Sequence, residues 1–135
     1  MLLKLALALV MVALVGCSSN MAGTHSQVFY ILGVHSLIIP EAELPSLKHE
    51  ALKGSPDAAF RLSLYYESVR LDFKEGLFWT QIAAENGHPS GQYNYGFRLR
   101  NDPDPRNRLR ARFWLERAAE NGVSLAVDLL KELSE

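Results

Sequence analysis

The pentapeptide AAENG fills Ala83–Gly87 and again Ala118–Gly122, 35 positions apart in a chain of 135 residues. The match extends on both sides, so that EGLFWTQIAAENGHPSG (75–91) aligns with RARFWLERAAENGVSLA (110–126). Phe78-Trp79 pairs with Phe113-Trp114, and Gly76 with Ala111. Self-similarity at a fixed period in the thirties marks stacked helical repeats. A half-unit follows each glycine: GSPDAAFRLSLYY (54–66) matches GHPSGQYNYGFRL (87–99) and, more weakly, GVSLAVDLLKEL (122–133). LPSLKHEALKG (44–54) reads as the second helix of a degenerate leading unit, ending at Gly54 as the others end at Gly87 and Gly122.

The repeated residues have a local physical purpose. Gly76, Trp79 and Ala83 fall at i, i+3 and i+7, on one face of an α-helix. Small residues on either side of a large ring allow close helix approach while the indole fills the gap. Asn-Gly then stops the helix, because Gly enters the left-handed conformation at the C′ position cheaply. Pro56 and Pro89 stand two residues past Gly54 and Gly87. Proline is accommodated in a first helical turn, where its missing N–H has no intrahelical partner in any case. The spacing therefore predicts an all-α chain, a short α-solenoid of antiparallel helix pairs with about two full repeats plus half-repeats. Trp79 and Trp114 are expected to be core residues in equivalent surroundings.

These residues resemble the Sel1-like repeat family, whose unit runs A-x-x-x-L-G-x-x-Y…D-x-x-x-A-x-x-W-x-x-x-A-A-x-x-G. One unit supplies Ala58, Leu62, Tyr66, Asp72, Trp79, Ala83, Ala84 and Gly87; the next supplies Gly91, Tyr95, Gly96, Leu99, Ala111, Trp114, Ala118, Ala119 and Gly122. Ser63 stands where the family has Gly. The resemblance covers residues 54–133 and implies a protein-binding, scaffolding solenoid, often near the bacterial envelope. The cysteine-bridged branch of the family is excluded, since Cys17 is the single cysteine.

The first residues read as an address. Lys4 precedes an apolar run of eleven, Leu5–Val15. A membrane-spanning helix needs roughly 20 residues, so this length suits a signal-peptide core. LVGC (Leu14–Cys17) resembles the lipobox of bacterial lipoproteins, which implies that the Cys17 thiol receives a diacylglyceryl group. Ser18 after it favours the outer membrane, by resemblance to lipoprotein sorting. The expected organisation is signal peptide 1–16, lipidated Cys17 with a polar tether to 26, an apolar cap segment 27–43 of open conformation, and a repeat domain 44–135. VFYILGVHSLIIP (28–40) is a strand, hairpin or extra helix as far as periodicity can say. It closes the end of the first repeat, or docks a partner.

Partner contacts are sought first on helix positions that the repeat leaves free: Arg61 and Leu64 in one unit, Gln92, Asn94 and Phe97 in the next. The second candidate surface is RLRNDPDPRNRLRAR (98–112), which holds six arginines against Asp102 and Asp104. Asp-Pro-Asp-Pro forces a turn there. Arg98 and Arg100 suit a helix C-terminus, whereas Arg106, Arg108, Arg110 and Arg112 enter the next helix against its dipole. Two readings stay open: a solvated loop with arginines paired to Glu75, Glu116 or Glu120, or a surface on which Arg106, Arg108 and Arg110 meet an acidic protein or anionic headgroups.

Net charge of −1 argues against nucleic acid as a partner. His49-Glu50 lacks the second histidine of a zincin, since Lys53 stands there, and the prolines break any Ca²⁺-loop pattern around Asp102. His88 suits a capping or surface role. No cofactor is expected. The function expected is a membrane-anchored periplasmic adaptor or scaffold that binds another envelope protein. An immunity-type inhibitor of a delivered toxin is the alternative, and an enzyme the third class.

Overall fold

The computed structural model describes residues 37–133. Cys17, the leader, the tether and most of the apolar segment 28–40 therefore lie outside the described residues. The described helices are Leu44–Leu52 (α1), Pro56–Ser68 (α2), Phe73–Glu85 (α3), Pro89–Leu99 (α4), Pro105–Glu120 (α5) and Ser124–Glu132 (α6). The main packing partners are α2 with α3 and α4 with α5, and α1 and α6 serve as half-units at the two ends. This is the all-α, solenoid-like arrangement of helix pairs that the repeat predicts.

The stop in AAENG works through hydrogen bonds of its own residues. Gly54, Gly87 and Gly122 have φ of 105°, 89° and 86°. The Gly87 N–H donates to Ala84 O at 3.0 Å, and His88 N–H donates to Ala83 O at 2.9 Å. The same pair of bonds joins Gly122 to Ala119 and Val123 to Ala118, and Gly54 to Ala51 and Ser55 to Glu50. This is the Schellman closure, which satisfies carbonyls that a helix end otherwise leaves unpaired. The next helix begins at once. Ser55 caps α2 through the N–H of Ala58, His88 caps α4 through that of Gly91, and Asp72 and Asp104 cap α3 and α5. Each such cap is worth about 1 kcal/mol.

The core follows the small-residue face. Ala51, Ala59, Leu62 and Ala83 are fully buried, with Trp79 and Tyr65 beside them; Leu115, Ala118, Ala126 and Leu129 form a second cluster in the following unit. A chain of neighbouring clusters, rather than one centre, is the expected form of a repeat stack. Close approach depends on missing atoms. A Cβ on Gly91 would stand 2.9 Å from Ala83 Cβ, and one on Gly96 would stand 2.9 Å from Leu115 Cγ. From the apolar segment, Ile39 is buried with Leu44 and Leu47, while Ile38 is exposed.

Candidate functional site

The helix positions singled out from the sequence separate into three kinds. Asn94 and Phe97 on α4 line a surface depression of about 480 Å³ with Glu67, Arg98, Arg100 and Asn101. Arg98 ties its two sides together through a 2.8 Å ion pair with Glu67 at the end of α2. The Arg100 guanidinium lies 3.5 Å from the Phe97 ring centroid. Arg61 and Leu64 lie on α2 outside this lining; Arg61 reaches back to Glu43 at 3.7 Å, and Leu64 is half-buried.

Gln92 corrects the expectation that it points away from the packing. It is 5% exposed. Its Nε2 donates to Ala84 O at 3.4 Å, and its Oε1 accepts from Asn121 Nδ2 at 2.8 Å. The preceding unit shows why. There the equivalent residue is Ala59, and Asn86 donates directly to Ala51 O at 3.1 Å. The longer Gln92 inserts itself as a relay in the same inter-unit bond, and both ends of its amide are engaged inside the protein.

The arginines likewise do not form one surface. Arg106 closes on Asp104, with Nη2 2.6 Å from Oδ2 and Nε on both oxygens. That side-chain contact, with the Arg106 backbone N–H, holds the Asp104 carboxyl below its usual range. Arg108 donates to the carbonyls of Asp102 and Pro103 at 3.1 and 3.2 Å, bracing the Asp-Pro turn. Asp102 itself accepts from the Asp104 N–H. Arg112 pairs with Glu116 at 3.2 Å, as one sequence reading anticipates. Among the described residues Glu75 takes no arginine; it stands 4.0 Å from Lys48 and accepts the Trp79 indole N–H. Helical geometry explains the scatter: Arg106 and Arg110 are four apart and share a face, while Arg108 lies on the opposite one.

Arg110, like Arg100 and Arg108, forms no ion pair among the described residues, and unlike Arg108 it holds no backbone carbonyl there either. Its guanidinium lies 5.4 Å from the ring centroids of both Phe113 and Trp114. Arg117, one turn on, lies 5.8 Å from Phe113. With Glu85, Gln92 and Asn121 these side chains line a groove of about 570 Å³ between α3, α4 and α5. Trp79 and Trp114 are both buried, yet not equivalent. Trp79 Nε1 donates to Glu75 Oε1 at 3.0 Å, whereas Trp114 Nε1 has no hydrogen-bond partner among the described residues. Sequence reasoning missed Phe113, Trp114 and Arg117 as candidate contacts. The signal was present: four residues before the repeated Trp, Glu75 becomes Arg110.

Two further groups titrate abnormally. Burial pushes the Tyr95 hydroxyl up, with Arg110 opposing and Glu85 adding to the shift. Burial also pushes the His88 imidazole below its ordinary value, against the opposing charge of Asp57. His88 stacks on Phe60 at 4.1 Å between centroids, and its Nδ1 accepts the Gly91 N–H at 3.1 Å. It is a structural cap.

Compared with known proteins, a model of the Sel1 repeat matches residues 56–88 and 89–123. A relative in Escherichia coli (strain K12), named as uncharacterized protein YibG, is 33% identical over 100 residues, covering 70% of this chain and 65% of that protein. The chain thus spans just under two thirds of the length of the curated relative it matches. No solved structure matches it.

Proposed function

The chain belongs to the Sel1 repeat family, and on that premise we propose that it is a lipid-anchored adaptor that binds a protein of the cell envelope. It is a protein–protein interaction repeat module, of a kind that is characteristically a non-catalytic scaffold. The adaptor reading rests on the exposed Phe97, 43% accessible, stacked under Arg100 beside Asn94. Aromatic and arginine side chains dominate binding hot spots, and this one sits on a helix whose other face is fixed by packing. Arg61 and Leu64 extend the proposed contact along α2.

The anchoring reading rests on the order of Lys4, the apolar run, Gly16 and Cys17. Two or more acyl chains at Cys17 would hold the protein at the outer membrane, facing the periplasm, since each buried methylene contributes about 0.8 kcal/mol. Two measurements test the proposal. Cys17→Ala should abolish incorporation of labelled fatty acid and release the protein from membranes; a wild-type chain that incorporates none refutes the anchor. Crosslinking in envelope extract should capture a specific partner that Phe97→Ala together with Asn94→Ala loses; undiminished capture by that double variant removes the α4 surface from the proposal.

A further inference from the structure

The two repeats place a carboxylate differently, and the difference makes a binding site. In the first, Glu75 supplies the acceptor for the Trp79 indole, 3.0 Å away, and Lys48 on the preceding unit stands 4.0 Å from the same oxygen. In the second, the residue equivalent to Glu75 is Arg110, and the residue equivalent to Lys48 is Gln81. A guanidinium has donors and no acceptor. The Trp114 indole N–H, on a residue 6% exposed, is therefore left without a partner among the described residues. An unpaired buried donor costs free energy comparable to a lost hydrogen bond.

The rest of the groove carries a second arginine, Arg117, and one carboxylate, Glu85. Arg110 has no carboxylate partner among the described residues, and Arg117 shares only a solvent-exposed contact with Glu120 at 3.5 Å. Glu85, the carboxylate that lines the groove, accepts from Gln81 at 2.8 Å. Phe113, 41% exposed, lies between the two arginines on the same helix face. Unit one pairs Lys48 with Glu75; unit two has a neutral Gln81 in the place of the cation and Arg110 in the place of the carboxylate, beside a donor that lacks an acceptor among the described residues.

We propose that this groove binds an acidic peptide segment of the partner protein, and that a glutamate or aspartate of that segment takes the place Glu75 holds in the first repeat. One carboxylate oxygen accepts from Trp114 Nε1 and the other from Arg110. Arg117 meets a second acidic residue, and the segment's aliphatic carbons cover Phe113. Arg110 is exposed on a flexible stem, so its side chain can swing toward the incoming carboxylate. A groove of about 570 Å³ admits a few side chains of an extended segment and not a folded domain. The inference rests on the protein-binding reading but uses a different face from Phe97.

Trp79 provides an internal control, since its indole N–H is already bonded. The full chain, ¹⁵N-labelled and held in zwitterionic detergent, is titrated with the blocked peptide acetyl-Leu-Glu-Glu-Leu-Gly-amide and with its Gln-for-Glu counterpart. The acidic peptide should move the Trp114 indole resonance and leave that of Trp79 in place. Arg110→Glu puts the acceptor in cis. In that variant the Trp114 resonance should shift toward that of Trp79 without any ligand, and peptide affinity should fall by about tenfold or more, the equivalent of one charged hydrogen bond. Should Arg110→Glu disturb the fold, Arg117→Gln and the wild-type titration still decide. A still Trp114 resonance overturns the proposal, as does an equal response to the glutamine peptide. Inorganic phosphate acting as strongly as the acidic peptide reduces the groove to a simple anion site. If Arg110→Glu retains the envelope partner while the peptide has no effect, the groove falls and the protein-binding reading stands. Loss of the partner through Phe97→Ala alone gives the opposite assignment.

Discussion

Replacing each tryptophan by phenylalanine exposes a difference that the repeat pattern conceals. Trp79 and Trp114 occupy equivalent positions and are 3% and 6% exposed. The indole exceeds a phenyl ring by roughly three heavy atoms, and losing them from a packed site costs about 1–3 kcal/mol at either position. The remaining terms have opposite signs. Trp79→Phe also breaks the 3.0 Å bond to Glu75. A hydrogen bond to a charged group contributes about 1.5–3 kcal/mol. Glu75 is 38% exposed at its side chain and rehydrates when released, so about 1 kcal/mol is the better figure. Trp114→Phe instead removes a buried donor without a partner, which relieves about 1–3 kcal/mol. Trp79→Phe should therefore destabilise by about 2–4 kcal/mol more than Trp114→Phe, which itself should be near neutral. Equilibrium urea unfolding followed by far-UV circular dichroism measures both, and denaturant slopes must agree for the comparison to hold. Equal losses within about 0.5 kcal/mol would refute the assignment of an unpaired indole at Trp114.

Three further outcomes follow from the geometry. Gln92→Leu should cost about 0.5–1.5 kcal/mol in the same unfolding assay, because it removes the bond to Asn121 Nδ2 and the second bond to Ala84 O, which keeps the Gly87 N–H. Gln92→Ala should cost less, since Asn121 can then reach Ala84 O directly, as Asn86 reaches Ala51 O beside Ala59; equal losses would contradict the relay. His88 has a folded-state pKa below its unfolded value of about 6.5, so its contribution is full above that pH and is lost as pH falls through it. His88→Ser keeps a cap of the kind Ser55 provides and should remove this acid sensitivity, so the stability difference between wild type and variant should change between about pH 7.5 and 5; a constant difference would show that the imidazole does not titrate in this range.

The α-solenoid was legible in the sequence because its determinants are local. Helical periodicity, a small-large-small face, and a glycine that can adopt positive φ each act within a few residues, and the repeat states them twice. The boundaries of α3 and α5 follow from Asp72, Asp104 and the two AAENG stops without reference to anything distant. The arginines were legible as a cluster but not as a surface, because several find separate partners: Arg106 the cap of its helix, Arg108 the turn before it, Arg98 a glutamate on the previous pair. Gln92 was misplaced for a different reason. Its position beside Gly91 is that of Ala59 beside Ala58, and whether it points out or in depends on what the neighbouring repeat offers. Only the stacking of one unit on the next brings Ala84 O and Asn121 within reach of its amide. The sequence by itself determined the helices, their stops and the face each one packs. The tertiary structure decided which polar groups are used up internally and which remain for a partner, because hydrogen bonds across units join residues about 30 positions apart, whose distances no local pattern encodes.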